Sequence, residues 1–505
     1  MHMGRPFLSK IKGLNMASKH EIHASNTAEA FANFFKGIGE YFSDFGRAIS
    51  KGDLGVKLST VFMGAGYFAR KKFIVGCLMT LIEAFFIVMC IFYAAPNLAK
   101  FGTLGTTVRQ TAFDPVTMQN TVIAGDNSFL ILLNSVIALF LIFVFILLWI
   151  GNIKRAYELQ LDEEKGIHIN TFVEDLKSLF NGRFNITLMT LPTIGVILMN
   201  IIPILILIAI AFTNYDQQHM PPSALFTWVG FANFKNIVNL SNNSAFGYAF
   251  FKVLGWTLVW AFFSTFTCFL GGIVMAKLIT YRKVKFPKFW RTLFVVTIAV
   301  PQFVTLLLVR YFFGDTGIVN GICSSIGITD FLKTIGLVKS HLTYIPFLTS
   351  PGWAKFMIVM INIWVGVPYQ MLVATGVLLN IPESQIESAK LDGANAWQIF
   401  WHITMPYVMF VEGPTLITDF VRNINNFNVI YLLTQDTFVT TNQTLANANA
   451  KEVDLLVTWL FTLTNDYYNY KMASVIGIIV FVICAIFSLI AFSKFLSGGR
   501  EESYQ

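Results

Sequence analysis

Four polar side chains, Asp419, Arg422, Asn423 and Asn426, recur at intervals of three or four residues inside an otherwise apolar stretch. That spacing lays them near one face of a helix. Their chemistry is recognition: planar amides, a carboxylate and a guanidinium match the hydroxyls of a sugar-like solute, and aromatic faces match its C–H surfaces. A second apolar stretch offers Asn362-Ile-Trp364-Val-Gly366-Val-Pro-Tyr369. The same residues admit plainer readings. Asp419 and Arg422 suit an i, i+3 ion pair, Asn423 and Asn426 suit interhelical hydrogen bonds, and Tyr369 and Phe427 suit core packing. Glu83 and Glu412 are further ionisable groups in apolar surroundings, the first read as half of a packing pair and the second as lying at the membrane edge.

A second constellation lies at 381–406, Ile381-Pro-Glu-Ser-Gln-Ile-Glu-Ser-Ala-Lys-Leu-Asp-Gly-Ala-Asn-Ala-Trp-Gln-Ile-Phe-Trp-His-Ile-Thr-Met-Pro406. Pro382 suits a first helical turn and Glu383 its positive end. Asp392-Gly393 gives the chain a place to turn with positive φ, and a second short helix is expected from Ala394 until Pro406 ends it. The expected product is a helix–turn–helix that offers Glu387, Lys390 and Asp392 to another protein. Bond-making chemistry finds no comparable pattern. The seven His are scattered, with no H-E-x-x-H or other metal spacing, no nucleophile elbow and no G-x-x-x-x-G-K-[ST] phosphate loop.

The elements that must position these residues follow from composition. The chain has 505 residues, 55% hydrophobic and only 13% charged, whereas soluble domains carry about 25% charged residues. A helix needs roughly 20 apolar residues to cross a bilayer. About eight stretches meet that length: 73–95, 129–150, 186–212, 250–279, 289–313, 356–379, 408–433 and 472–492. The five Cys form no framework and are read as packing residues. No cleavable signal is expected, because the first apolar run begins near Phe73. The net charge of +8 is concentrated in alternate loops, at Arg70, Lys71 and Lys72, at Lys154, Arg155, Lys165, Lys177 and Arg183, and at Arg282, Lys283, Lys285, Lys288 and Arg291. The excess of Lys and Arg predicts that both termini and the 381–406 segment face the cytoplasm. It argues for membrane orientation, with no nucleic-acid partner. Phe31, Phe34, Phe35, Ile38, Phe42 and Phe45 predict an amphipathic helix ahead of the first span, either in the lipid interface or docked on the bundle. The N-x-[ST] matches at Asn185, Asn242 and Asn442 carry no weight without knowledge of the host.

Glu387-Ser388-Ala389, Asp392-Gly393-Ala394, Phe400, Ile403 and Met405-Pro406 closely resemble the EAA loop of ABC-importer permeases, with Ser388 in place of the first Ala and Met405 in place of a Leu. The resemblance runs from about Pro192 to the C-terminus through Phe212-Thr-Asn-Tyr215-Asp, Trp228-Val-Gly-Phe-Ala-Asn-Phe234, the two apolar motifs above and Asp454-Leu-Leu-Val-Thr-Trp459. These segments resemble carbohydrate permeases, and most of all the larger subunit of maltose and maltodextrin importers. The short 213–248 stretch is nearer to maltodextrin permeases that work with a lipid-anchored binding protein than to the maltose permease with a large insertion there.

The resemblance implies an all-α polytopic membrane protein with a type I ABC-importer permease core. It implies a cytoplasmic segment 1–72, two accessory spans in 73–185, a six-span core in 186–495 and a tail 496–505. Glu387, Ser388, Ala389, Asp392 and Gly393 would couple to a separate ATPase, and Gly366, Tyr369, Asn423 and Asn426 match positions that line a maltose site. Asp419, Arg422 and Ile298 depart from that site in kind. The implied partners are a second homologous permease, two ATPase subunits that carry ATP and Mg, an extracellular or lipid-anchored sugar-binding protein, and bacterial membrane lipid. This chain itself would bind no cofactor and hydrolyse nothing. The expected function is translocation of malto-oligosaccharides. A permease for a raffinose- or galactoside-type sugar and an ion-coupled secondary transporter remain as alternatives.

Overall fold

The computed structural model describes residues 27–114, 119–239, 245–281 and 284–498. The side chains of Phe31, Phe34 and Phe35, the residues Arg282, Lys283 and Asn242, and most of the expected 496–505 tail lie outside the described residues. Among the described residues the regular structure is helical apart from one antiparallel hairpin, β1 (Gln110–Asp114) and β2 (Gln119–Ile123), paired from Gln110 with Ile123 to Asp114 with Gln119.

Helix α1 (Thr27–Lys51) precedes α2 (Phe73–Ala99), α3 (Ser128–Glu164), α4 (Phe184–Ala211) and α5 (Ala245–Thr280). Then follow α6 (Pro287–Ala299), α7 (Gln302–Phe312), α8 (Pro351–Leu379), α9 (Glu383–Leu391), α10 (Met405–Ile424), α11 (Phe427–Thr434), α12 (Leu456–Asn465) and α13 (Tyr470–Gly498). Among the described residues six helices are long and apolar enough to cross a membrane, and the pair α6 and α7 makes a seventh, bent by 92°.

Two expected spans are therefore not single helices. The 289–313 stretch breaks at Val300-Pro301, because Val300 is extended before a proline whose ring disfavours helical backbone in the preceding residue. The 408–433 stretch ends its first helix at Ile424 and restarts at Phe427. There Asn426 is extended, and its side-chain oxygen accepts from the Val429 N–H at 3.4 Å, so the polar residue caps a new helix instead of continuing the old one.

The centre of the bundle is the parallel pair α5 and α8. Trp256 lies beside Lys355, Cys268 beside Asn362, and Gly272 beside Gln370. A Cβ on Gly272 would lie 2.5 Å from the Gln370 Cβ and 2.7 Å from its backbone carbonyl carbon. One on Gly366 would lie 2.7 Å from the Cys268 sulfur. Small residues let the two backbones touch, which is how helices associate where lipid removes the hydrophobic drive.

The Phe212-to-Phe234 segment is a clasp over the α4 exit. The Asn233 amide donates to the carbonyls of Ala211 and Thr213 at 2.8 and 2.7 Å, and Tyr215 stacks between Phe226 and Tyr470 at 4.6 and 4.5 Å. Lys471 donates to Asp216 at 2.6 Å, and the His219 ring lies 2.7 Å from the same carboxylate. Burial alone would raise the Asp216 carboxyl, but its hydrogen bonds to Lys471 and His219 outweigh that and hold it below its ordinary value. The clasp thus contributes stability above the unfolded carboxyl range and loses it as pH falls through the lowered value.

The second half of α1 docks on α3. Ala48 is fully buried, Phe45 meets Trp149 at 5.5 Å, and Lys154 pairs with Asp44 at 3.4 Å. Ile38 and Phe42 stay exposed. Of the basic residues ahead of the first span, Arg70 is buried and bonded to Asp53 at 2.8 Å, and Lys72 pairs with Asp175. Glu83 accepts from the Met63 backbone N–H at 2.9 Å, so its partner is a backbone group, not a second side chain.

The α5–α8 contact gives a direct test. Gly272→Val should lower the thermal stability of the detergent-purified protein, by about 1–3 kcal/mol for overpacking against backbone that cannot retreat. Gly255→Ala, where nothing lies within 4 Å of the new Cβ, should leave the melting temperature equal or higher.

Candidate functional site

Halfway along α5 and α8, beside α10, lies a cleft of about 500 Å³. Gly366, Tyr369, Asp419, Arg422, Asn423 and Asn426 all line it. The cleft also takes Ile298 and Phe427, both singled out in the sequence, and Thr265, Gln302, Asn362 and Gln370, which sequence reasoning did not assign as ligand contacts. Gln370 follows Tyr369 directly and Asn362 opens the same motif, so both were visible as polar residues in an apolar run. Gln302 and Thr265 carried no such signal, because only the bend at Pro301 and the α5 packing bring them to the cleft.

Asp419 is nearly fully buried. Its carboxylate accepts from the Gln370 amide at 2.7 Å and pairs with Arg422 at 3.0 Å. The ion pair read from the i, i+3 spacing exists, yet it is lopsided. The Arg422 side chain is 64% exposed against 8% for Asp419, so the guanidinium keeps donors free toward the cleft while the carboxylate is spent on the fold.

Asn423 is likewise engaged: its amide donates to Thr265 Oγ1 at 3.0 Å and its backbone carbonyl accepts from Trp260 Nε1 at 3.0 Å. Asn426 donates to the Asn423 oxygen at 3.4 Å and caps α11. These two residues make the interhelical bonds of the plainer reading while still facing the cavity. Phe427 stacks with Tyr431 at 4.5 Å and meets Phe461 at a tilt at 4.7 Å, which fixes one aromatic wall.

Tyr369 is half-exposed and stands between this cleft and an adjoining apolar one of about 540 Å³ at the α6–α7 bend. Ile298 and Gln302 belong to both. The arrangement joins a polar wall to an aromatic and aliphatic one. Glu412 is 3% exposed inside α10 and stands outside the cleft, and among the described residues its Oε1 has no hydrogen-bond partner. Among the described residues no group of three His, Cys, Asp or Glu side chains stands ready to hold a metal ion.

A helix–turn–helix forms at the other end of α8, but its second arm is not a short helix ended by Pro406: Ala396–Ile399 and the wider turn Phe400–Thr404 run straight on into α10, which carries Pro406 in its first turn. Gly393 has φ +83°, and the Ala394 N–H reaches back to the Ala389 carbonyl at 2.9 Å, closing α9 with a turn that an L side chain rarely adopts. Asn395 and Gln398 cap the next turn reciprocally at 2.9 Å. Glu387, Ser388 and Asp392 are exposed and Ala389 is half-buried. Trp397 and Leu391 are also exposed, an apolar surface beside the acidic one. The Lys277 ammonium lies 4.3 Å from the Phe400 ring centre and Tyr407 donates to the Asn380 carbonyl at 3.4 Å, which ties the loop to the ends of α5 and α8.

Residues 268–498 match the family described as binding-protein-dependent transport system inner membrane component. Over 451 residues, 88% of this chain and 96% of the relative, the chain is 30% identical to the maltodextrin transport system permease protein MalC of Streptococcus pneumoniae. It belongs to this family of transport permeases. The permease is also 31% identical to the maltodextrin permease MdxF of Bacillus subtilis over 448 residues, 88% of this chain and 96% of that one. It is 29% identical to the galactooligosaccharides permease GanP of the same organism over 448 residues, 88% and 98% of the two chains. The chain is thus a permease of a sugar ABC importer, a multi-span membrane protein whose matched region holds both the cleft and the exposed loop.

The lopsided pair separates the roles of its members. In this permease Asp419→Ala should cost about 1–3 kcal/mol by stranding the buried Gln370 donor. Arg422→Lys should cost under about 1 kcal/mol, because it keeps a cation beside the buried Asp419 carboxylate, which removal of the charge would leave uncompensated. Thermal unfolding of the two purified variants measures the difference.

Proposed function

We propose that this permease translocates malto-oligosaccharides, released into the Asp419–Arg422–Asn426 cleft by an extracellular or lipid-anchored sugar-binding protein. What carries the reading is the convergence in one cavity of planar polar groups from α8 and α10 with the rings of Tyr369 and Phe427. Hydroxyls would meet Arg422, Asn426 and Gln302, and a pyranose face would lie on an aromatic ring. The names of the two maltodextrin relatives agree with this substrate. A galactooligosaccharide is the second reading, favoured by the similar extent of the likeness to GanP. Gradient-coupled transport finds less support, since the Asp419 carboxylate it would use is taken up by Gln370 and Arg422.

In this reading a second homologous permease completes the pathway, and two ATPase subunits bind ATP and Mg on the cytoplasmic side. Both termini and α9 lie on that side of a bacterial cell membrane, in keeping with the basic loops. Glu387, Ser388, Ala389, Asp392 and Gly393 form the seat for an ATPase. Closure of the ATPases would move α9, and the ties through Lys277 and Tyr407 would pass that motion to α5 and α8. The site thereby alternates its access without chemistry in this chain.

Two measurements test this. ATPase activity of the reconstituted importer with its binding protein should rise severalfold with maltotriose or longer maltodextrins. A response to galactooligosaccharides alone would move the substrate, and uptake by this chain alone under a proton or sodium gradient would replace the importer reading. Gly393→Pro should abolish ATP-driven uptake, because φ near +83° is closed to proline. Unchanged uptake would refute the coupling role of the loop.

A further inference from the structure

At the heads of α5 and α8, opposite the α9 end, three lysines converge on a separate cleft of about 160 Å³. Lys252 comes from α5, Lys355 from α8 and Lys451 from the loop between α11 and α12. None of the three forms an ion pair among the described residues. Lys252 lies 5.8 Å from the Tyr248 ring centre, Lys355 lies 4.7 Å from that of Trp256, and Lys451 donates to the Gln435 carbonyl at 2.9 Å. The acid in the cleft, Glu452, has both oxygens occupied: one accepts from Thr440 Oγ1, the other from Thr441 and from the Asn442 N–H. Glu452 thus holds its own loop in shape and leaves the lysines in excess. With three lysines against the one carboxylate of Glu452, the cleft keeps a net positive charge.

Its place in the fold matters as much as its charge. The two helices that bring Lys252 and Lys355 are those that line the sugar cleft further along, at Thr265 on α5 and at Gly366 and Tyr369 on α8. At 1.5 Å per residue, Lys252 and Thr265 are roughly 20 Å apart along one helix. The loop wall is fixed to the same helix, since Trp256 Nε1 donates to the Val453 carbonyl at 3.1 Å and Asn442 donates to the Tyr248 hydroxyl at 3.3 Å. A partner held here sits over the mouth of the passage.

We propose that this cleft receives an acidic side chain, Asp or Glu, of the sugar-delivering protein, and so sets that protein in register above the sugar site. The proposal rests on the reading of the chain as an importer permease with this end outward. Charge complementarity selects the partner group, and a cleft of this size admits a carboxylate at the end of a side chain. The apolar residues of the lining, Val253 and Leu445, are each only 3% exposed and belong to the protein core. They offer no groove for acyl chains, so the seat suits a protein carboxylate better than a lipid phosphate.

The test uses the whole importer in nanodiscs, titrated with its binding protein loaded with maltotriose, with stimulated ATPase activity as the readout. The double variant Lys252→Glu/Lys355→Glu should raise the half-saturating concentration of binding protein about tenfold and leave the maximal rate unchanged, since a lost surface charge pair weakens docking without touching chemistry. Lys252→Glu alone, at an exposed position, should raise it severalfold and guards against a folding defect in the double variant. Salt should raise the wild-type value and affect the variants less.

An unchanged half-saturating concentration in both variants overturns the proposal. So does an effect that appears with phosphatidylglycerol in the disc and vanishes in phosphatidylcholine alone, which would assign the seat to a lipid headgroup. If the wild-type complex shows no response to binding protein at all, the importer reading fails first and this inference falls with it.

Discussion

The structure depends on the contact between α5 and α8, where Gly272 meets the Gln370 backbone and Gly366 meets Cys268. In lipid, apolar surface gains nothing by leaving one hydrocarbon for another, so helices hold together by close packing and by hydrogen bonds that have no water to compete. Backbones in contact put Gln370, Asn362 and Thr265 at a fixed distance from α10. That fixes where a polar cavity can open, and it explains why the cavity walls are side chains that also bond to one another.

The same economy governs the polar residues. A carboxylate inside a bundle is expensive unless it is satisfied, and Asp419 is satisfied twice. Its burial orients Arg422 toward the cavity, where an exposed guanidinium is available to a solute. Asn423 and Asn426 show a related division of labour, since each spends part of its hydrogen-bonding capacity on the fold. The choice between a structural role and a binding role, open when the residues are considered by spacing alone, turns out not to be exclusive. Glu412 is the counterexample, buried apart from the cleft with an oxygen that has no partner among the described residues.

The two ends of the bundle are built to different specifications. At one end, α9 and the turn at Gly393 present an exposed mixture of acidic and apolar residues, joined through Phe400 and Tyr407 to α5 and α8. At the other, the Tyr215 stack, the Asp216–Lys471 bond and the loop organised by Glu452 make rigid surroundings for the mouth. A helix pair that touches both ends and lines the cavity between them is suited to carrying a displacement from one to the other.

Apolar run length determined the membrane class and most of the helices, because a 20-residue requirement leaves few other solutions. The positive-φ turn at Gly393 and the amphipathic character of 27–51 were equally local, and both stand in the structure. Spacing along α10 also brought Asp419, Arg422 and Asn423 together, since helix geometry is set by sequence distance, whereas Asn426 joined them from the break after Ile424. Tertiary structure alone decided the rest. The bend at Val300-Pro301 and the restart at Asn426 arise where local backbone preferences meet packing, and run length is blind to both. Gln302 and Thr265 entered the cleft through that bend and through the glycine contacts, and Lys252, Lys355 and Lys451 met only because α5 and α8 are parallel. Residues more than a hundred positions apart have no periodicity in common, and only the fold gives them a shared position in space.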